Sequence, residues 1–131
     1  MRVFEFFSGI GGMRLSLQSA IETSGAFGTP PPQLQFTAFD TSDIVNQCYR
    51  HNFPGEMVKQ VNIESIKVEN LDGKAEIWTM SPPCQPFTTT ANSKRLDVED
   101  KRNKAFMYLM KMLESIETKP TWIFFENVLS T

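Results

Sequence analysis

Residues 2–12, RVFEFFSGIGG, contain the clearest structural signals in the chain. The first part of this segment, Arg2 to Phe7, is short and mostly apolar, which is typical of a buried strand and not of a helix. A glycine-rich turn follows, and from Gly12 to Ser24 the apolar residues recur at three- and four-residue spacings. Because Gly25 comes directly after this pattern, we predict a strand, a turn and a helix, the first half of a βαβ unit.

The rest of the chain repeats this alternation. Strands are predicted at 34–39 (ending at Asp40), 57–61, 75–80 and 121–126, and helices at 41–52 and 103–115. Strands that alternate with helices predict an α/β fold with a doubly wound, mainly parallel, Rossmann-like sheet. The chain ends at Thr131, just after the fifth predicted strand, so we expect a sheet truncated at that point.

Length and composition narrow the classes of function. With 131 residues, 40% hydrophobic and 21% charged, the chain is expected to form one soluble globular core. Thirteen Lys and Arg against fifteen Asp and Glu give a net charge of -2, so any contact with nucleic acid must be local. The sequence has neither a membrane-spanning apolar run nor a secretion signal, and the cytosol or nucleus is the expected compartment.

Cysteine and histidine are scarce. Two cysteines and one histidine are too few for a zinc cluster or a disulfide framework, and no metal site is predicted. Cys48 lies with Ile44, Val45 and Tyr49 on the apolar face predicted for the second helix, and we interpret it as a buried packing residue. His51, near the end of that helix, is interpreted as a surface or capping residue, which disfavours a protease-like Cys-His pair.

Small and polar residues collect where the predicted strands end. These segments are Ser8–Gly12, Asp40, Asn62–Ile63, Ser81–Cys84 and Glu126. Open α/β sheets bind their ligands beyond the carboxyl ends of the strands, so the functional site is expected at this edge.

The glycine turn is suited to a nucleotide-like cofactor, because small residues let a ligand approach the backbone. Arg14 stands where a dinucleotide fingerprint needs a small residue, which disfavours a pyrophosphate. Asp40 can accept hydrogen bonds from ribose hydroxyls or cap the second helix, and both roles are compatible. The alternative for the turn is a tight turn without a ligand.

The motif SPPCQPF, residues 81–87, places three prolines around Cys84. Fixed backbone dihedrals present a thiol rigidly, which is useful for a nucleophile and unnecessary for a packing cysteine. Glu126 directly follows an apolar strand in FFENV, residues 124–128, where desolvation would raise the pKa of its carboxyl and make it a proton donor. The alternative is a solvated acid at the end of a strand.

Taken together, FFSGIGG, SPPCQPF and ENV resemble the cytosine carbon-5 methyltransferases in both order and position, over essentially the whole chain. The resemblance implies an S-adenosylmethionine-dependent methyltransferase sheet, with Cys84 as the nucleophile and Glu126 as the acid that recognises the base. The implied cofactor-binding residues are Phe7, Gly9, Ile10, Gly11, Gly12, Asp40, Asn62, Ile63 and Ser81. Implied substrate-binding residues are Gln85, Arg102 and Asn127.

Within this family, MSPPCQPFT and YRHNFP (residues 49–54) look most like the branch that methylates aspartate tRNA, so tRNA is the favoured partner and DNA the alternative. Asn62 stands where many members carry Asp. The resemblance covers the N-terminal part of the catalytic domain, residues 1–131, without the target-recognition region or the C-terminal motifs. We therefore expect weak or no activity from the chain alone, with a second chain as one source of the missing motifs.

Two rival functions belong to other classes. One is a non-catalytic module that binds the cofactor but lacks the remaining motifs. The other is a nicotinamide or flavin oxidoreductase, which Arg14 and the proline-bracketed Cys84 both disfavour.

Overall fold

The computed structural model describes residues 1–83 and 103–127, and the strands in these ranges form one parallel sheet. The strands are β1 (Arg2–Phe6), β2 (Gln35–Asp40), β3 (Met57–Gln60), β4 (Ile77–Met80) and β5 (Trp122–Phe125), in the order β3-β2-β1-β4-β5. The helices are α1 (Gly12–Ser24), α2 (Asp43–Asn52) and α3 (Lys104–Ser115), and two short 3-10 turns (Ile63–Ser65 and Val68–Asn70) follow β3. The strand order reverses between β1 and β4, which is where such sheets bind ligands.

The two faces of the sheet carry separate cores. Side chains alternate along a strand, so β1 points Val3 to one face and Phe4 and Phe6 to the other. Val3 packs with Leu17 and Ile21 of α1. On the opposite face, Phe4 and Phe6 belong to a cluster that includes residues of α3. Helices on both faces confirm the predicted doubly wound α/β fold.

The predicted elements are confirmed in type and order. Each observed end lies within two residues of its predicted position, the usual scatter at frayed ends. As predicted, α1 ends at Ser24, with Gly25 in the left-handed conformation at φ 65°.

The buried face of α2 differs from the prediction. Tyr49 is buried as predicted, but Cys48 is exposed and Ile44 is 75% exposed, and Asn46 is buried in their place. The Asn46 carboxamide donates to the Asp40 carbonyl at 3.1 Å, and a polar side chain with such a partner can occupy an interior position. The interpretation of Cys48 as a packing residue, based on counting apolar residues, is therefore wrong.

Strand β5 is apolar but exposed. Its four side chains are between 42% and 51% exposed, and in the register of the sheet β5 pairs with β4. Two side chains of β5 make ring contacts, Trp122 with Phe27 and Phe125 with Phe106. Both faces of this strand thus present apolar surface to solvent in the described structure.

An exposed ion pair joins the amino end of β1 to the residue before β4. The Arg2 guanidinium Nη2 lies 2.5 Å from Glu76 Oε1, and the Arg2 backbone N–H donates to Oε2 at 2.6 Å. The hydrogen bonds from the Arg2 side chain and backbone lower the pKa of Glu76 to about 2.

Glu76→Gln is expected to lower the free energy of unfolding at neutral pH by only about 0.5 to 1 kcal/mol, because solvent screens this pair. A lowered pKa stabilises the fold above the ordinary value of 4.5, and this contribution is lost as the pH falls toward 2. Urea unfolding of both proteins across that range measures the effect. If the difference in free energy of unfolding between the two proteins is as large near pH 2 as at neutral pH, the ion pair is not its cause.

Candidate functional site

A cavity of about 340 Å³ opens at the carboxyl edge of the sheet. It is lined by Phe7, Asp40, Thr41, Asn62, Ile63, Ser81, Pro83 and Ala105. These residues come from the segments that follow β1 to β4 and from the start of α3, so the parallel topology brings them together. Its size lies within the range of roughly 300 to 1,000 Å³ that is usual for small-molecule sites.

The glycine turn at residues 7–12 has an unusual backbone. Phe7, Gly9 and Gly11 adopt positive φ angles of 56°, 52° and 93°. Glycine accepts this conformation readily, but phenylalanine rarely does, so Phe7 holds local strain. Because Phe7 also lines the cavity, this strained residue lies at the candidate site.

Asp40 links the end of β2 to the glycine turn. Its Oδ2 accepts a hydrogen bond from the Gly9 backbone at 3.0 Å, and its Oδ1 accepts one from the Ser42 backbone at 2.9 Å. The residue at the N-cap of α2 is Ser42, so the capping role considered for Asp40 is wrong in position. A carboxylate has about four lone-pair sites, so Asp40 can still accept bonds from ligand hydroxyls.

Asn62 and Ile63 form the wall beyond β3. Asn62 Oδ1 accepts a hydrogen bond from the Glu64 backbone at 3.2 Å and so caps the first 3-10 turn. Its carboxamide offers donors as well as an acceptor, whereas an Asp at this position would offer acceptors only. Ile63 is 3% exposed and contributes an apolar surface.

The remaining predicted site residues are distributed as follows. Residues 9–12 do not line this cavity. Gly9 is joined to it through a hydrogen bond to Asp40, Ile10 is 60% exposed, Gly11 is the N-cap of α1 and Gly12 is its first residue. Cys84, Gln85 and Arg102 lie outside the described residues.

Glu126 lies one residue beyond β5. Its backbone N–H donates to the Met80 carbonyl at 3.0 Å, which extends the pairing of β4 with β5. Glu126 is exposed and Asn127 is half-buried. The apolar surroundings expected for the Glu126 carboxyl are therefore not found within the described ranges, and the solvated alternative fits this part of the chain.

A polar network with a buried centre at Glu5 and Tyr49 lies behind the glycine turn, and sequence analysis missed it. We call it the Glu5 network; its members are Glu5, Arg14, Tyr49 and Glu56. Burial raises the pKa of Glu5, and burial together with the Glu5 charge raises the pKa of Tyr49. The available signal was Glu5 itself, a carboxylate in the middle of an otherwise apolar strand.

Membrane and metal features were sought in the same ranges, 1–83 and 103–127. None of the helices there is both long and apolar enough to cross a membrane. No group of three or more His, Cys, Asp and Glu in these ranges could hold a metal ion.

Comparison with known proteins shows a family match over residues 1–130, to the family described as C-5 cytosine-specific DNA methylase. The chain is 42% identical over 129 residues to a DNA (cytosine-5)-methyltransferase of Dictyostelium discoideum, covering 98% of this chain and 31% of that protein. It is 34% identical over 129 residues to a tRNA (cytosine(38)-C(5))-methyltransferase of Schizosaccharomyces pombe. The match covers 98% of this chain and 36% of that protein.

Solved structures show the same likeness. The methyltransferase EhMeth of Entamoeba histolytica superposes with a TM-score of 0.78 at 36% identity, covering 98% of this chain and 38% of that one. The Dnmt2 methyltransferase of S. pombe gives a TM-score of 0.73 at 31% identity. The match covers 98% of this chain and 34% of that one. The chain thus spans about a third of the length of these relatives.

Proposed function

The chain belongs to the C-5 cytosine-specific methyltransferase family, and from that premise we propose that it transfers a methyl group to carbon 5 of cytosine in nucleic acid. Members of this family use S-adenosylmethionine as the methyl donor. We further propose that residues 1–131 are the N-terminal part of the catalytic domain, with Cys84 and Glu126 as its catalytic residues.

The observation that carries this proposal is the pairing of β4 with β5. Met80 pairs with Phe125, and the Glu126 N–H donates to the Met80 carbonyl. The segment that leads to Cys84 and the segment that carries Glu126 therefore leave the sheet side by side. Ser81 and Pro83, which precede Cys84, also line the cavity. This arrangement supports a site in which the Cys84 thiol, the Glu126 carboxyl and the cofactor lie together at the carboxyl edge of the sheet.

The residues around the cavity fit S-adenosylmethionine by their chemistry. The Asp40 carboxylate suits ribose hydroxyls, and the Asn62 carboxamide suits the polar edge of adenine. Phe7 and Ile63 offer apolar surface to the purine ring. Ser81, at the end of β4, would meet the methionine end.

The proposed chemistry begins at Cys84. Its thiolate forms a bond to carbon 6 of cytosine. The electron pair of the C5–C6 double bond shifts toward carbon 4, so that negative charge develops on ring nitrogen 3. The bound base would cover the exposed Glu126 carboxyl from solvent, and in that desolvated state its protonated form gives a proton to ring nitrogen 3 and neutralises the charge that develops there. When bound, S-adenosylmethionine would supply the methyl group: carbon 5 forms a bond to the methyl carbon while the bond from that carbon to the sulfonium sulfur breaks, which leaves S-adenosylhomocysteine. Water then takes the proton from carbon 5, the C5–C6 double bond re-forms as the bond between sulfur and carbon 6 breaks, and Glu126 takes back the proton from nitrogen 3.

Access to the base imposes a condition on the substrate. A stacked cytosine cannot present its face to a thiol, so the target must be extruded or lie in a loop. The exposure of Glu126 is compatible with a base that arrives from solvent. Residues 88–102 carry Lys94, Arg95, Lys101 and Arg102, which could contact phosphates.

The favoured substrate is tRNA, with action in the cytoplasm or nucleus. Five relatives at 33% to 35% identity carry the name tRNA (cytosine(38)-C(5))-methyltransferase. DNA is the alternative, because the relative at 42% identity is named a DNA methyltransferase. An inactive cofactor-binding fragment that needs a second chain is the remaining alternative.

A covalent trap tests these functions even if turnover is slow. Fluorine at carbon 5 cannot leave as a proton does, so the bond between Cys84 and carbon 6 should persist in denaturing electrophoresis. The chain is incubated with S-adenosylmethionine and either an anticodon stem-loop of aspartate tRNA or duplex DNA, each with 5-fluorocytosine. We expect a cofactor-dependent adduct with RNA and little turnover of ordinary cytosine.

Each other outcome selects an alternative. An adduct with DNA alone favours the DNA methyltransferase. Cofactor binding in equilibrium dialysis without any adduct favours the non-catalytic module. Absence of both binding and adduct contradicts the proposed function.

Glu126→Gln is expected to slow adduct formation about a hundred-fold, because glutamine can hydrogen-bond to cytosine but cannot give up a proton. Glu117→Gln is the matched control, since Glu117 is also exposed but lies just beyond α3, before β5 begins. The rate of trapped-adduct formation measures both variants. Equal rates for the two would remove Glu126 from the mechanism.

A further inference from the structure

Glu5 connects β1 to both helices beside the glycine turn. Its side chain is 1% exposed. Oε1 accepts a hydrogen bond from the Arg14 backbone in α1 at 3.1 Å, and Oε2 accepts one from the Tyr49 hydroxyl in α2 at 2.6 Å. One buried carboxylate therefore holds the start of α1 and the middle of α2 against the same strand.

The bond to Arg14 supplies a cap that the turn itself lacks. Gly11 is at the N-cap of α1 and has no side chain to accept from the first-turn amides. The Arg14 amide, third in the helix, finds its acceptor in Glu5 instead. A negative charge near a helix N-terminus is also favourable to the helix dipole. The direction in which the turn enters α1 thus depends on where the Glu5 carboxylate lies.

The ring of Tyr49 supports the turn directly. A Cβ built on Gly11 would lie 2.3 Å from Phe53 Cε2 and 3.1 Å from Tyr49 Cε2, so the Gly11 backbone rests against both rings. These two rings meet edge to face with centroids 4.9 Å apart. Tyr49 therefore contacts the turn through its ring and Glu5 through its hydroxyl.

The Arg14 guanidinium forms its ion pair with Glu56, and it acts on Glu5 only through its charge. The group lies over the rings of Phe36 and Phe53, 4.8 Å and 4.1 Å from their centroids. Its Nη2 pairs with Glu56 Oε1 at 2.7 Å. The observed hydrogen bonds to the Glu5 carboxylate come from the Arg14 amide and the Tyr49 hydroxyl.

We propose that Tyr49 is a positioning residue for the methyl donor: by holding the Glu5 carboxylate, its hydroxyl keeps the glycine turn in the conformation that binds the cofactor. This inference rests on the proposed function, because it assumes that the cofactor binds at the turn. Burial and the neighbouring Glu5 charge raise the pKa of Tyr49, so the phenol keeps the proton that it donates.

Tyr49→Phe tests the proposal, since it removes the hydroxyl and keeps the ring beside Gly11. Without its donor the buried carboxylate must move toward another partner and disturb the turn. We expect the Kd for S-adenosylhomocysteine to rise about ten-fold. Amide hydrogen exchange without ligand should be about ten-fold faster at Gly9, Gly11 and Arg14, and unchanged in β4.

The pH dependence of the Kd distinguishes a positioning role of the Tyr49 hydroxyl from a general loss of packing in Tyr49→Phe. The groups of the Glu5 network that face one another are Glu5, Tyr49, Arg14 and Glu56. The hydrogen bond from Tyr49 favours the charged form of Glu5, so its loss raises the pKa of Glu5 further. The affinity loss in Tyr49→Phe should therefore shrink as the pH is lowered from neutral toward the ordinary carboxyl value of 4.5, because the raised pKa lets Glu5 take up a proton before that value is reached.

Two further variants complete the test. Glu5→Gln has no buried charge, so adding Tyr49→Phe to it should change the Kd less than Tyr49→Phe does alone. Tyr108→Phe is the matched control: its hydroxyl donates to the Ile66 carbonyl on the opposite face, and exchange in the turn should not change.

The outcomes distinguish this inference from the proposed function. Unchanged exchange in the turn, or faster exchange with an unchanged Kd, overturns the role of Tyr49. If the wild-type chain does not bind S-adenosylhomocysteine at millimolar concentration, the cofactor part of the proposed function fails. The exchange data alone then decide whether Tyr49 holds the turn.

Discussion

Cys84→Ala is expected to abolish the covalent adduct and to lower methyl transfer by roughly 10⁴-fold or more, because the ring cannot be activated without a nucleophile at carbon 6. The side chain becomes smaller and loses only its thiol, so cofactor affinity should stay within about two-fold of the wild type. Trapping with 5-fluorocytosine measures the first effect, and equilibrium dialysis with S-adenosylhomocysteine measures the second.

Cys48→Ala is the matched control for this prediction. The chain has two cysteines, and Cys48 is exposed on α2, where it lines none of the described cavity at the carboxyl edge. This variant should form the adduct at the wild-type rate. If the adduct survives in Cys84→Ala, or disappears in Cys48→Ala, the assignment of the nucleophile is wrong.

Gly11→Ala is expected to lower the free energy of unfolding by about 3 kcal/mol, from left-handed backbone strain and overpacking together. Gly11 has a φ of 93°, and the added Cβ would lie 2.3 Å from Phe53 Cε2. Phe53 is held between Tyr49 and the Arg14 guanidinium, so its ring cannot move away freely. We also expect cofactor binding to become undetectable, since the turn must shift to make room for the alanine side chain.

Gly12→Ala provides the contrast one residue later. Gly12 begins α1, and a Cβ there meets nothing within 4 Å. Alanine should be neutral or stabilise the helix by about 0.5 to 1 kcal/mol. Urea unfolding of both variants measures the difference, and a gap smaller than about 1 kcal/mol would contradict the role of Gly11 in packing against Phe53.

Much of the fold was predictable because its signals are local. In β1, the apolar run ends at a glycine turn, and the periodicity of α1 ends at Gly25; both boundaries depend on neighbouring residues. The doubly wound sheet was predictable because short connections between alternating strands and helices leave few arrangements. Structural neighbours of the same methyltransferase type confirm this fold.

The candidate site was predictable in position and less so in detail. The cavity contains Phe7, Asp40, Asn62, Ile63 and Ser81, all residues that end or follow predicted strands. Asp40, at the end of β2, accepts a hydrogen bond from Gly9, just beyond β1. The two residues are 31 apart in the sequence, and rules for helix capping consider only neighbouring residues. The roles of Cys84 and Glu126 remain predictions.

The class of fold, the order of its elements and the edge at which chemistry is expected were all readable from local patterns in the chain. Those properties follow from periodicity, turn residues and the parallel connection of strands, all of which are written in contiguous segments. The sequence did not reveal that α2 buries Asn46 and leaves Cys48 exposed, because this depends on how the helix is rotated against the sheet. The reason is physical: the Tyr49 hydroxyl and Glu5 carboxylate are 44 residues apart, and their bond depends on the rotation of a packed helix.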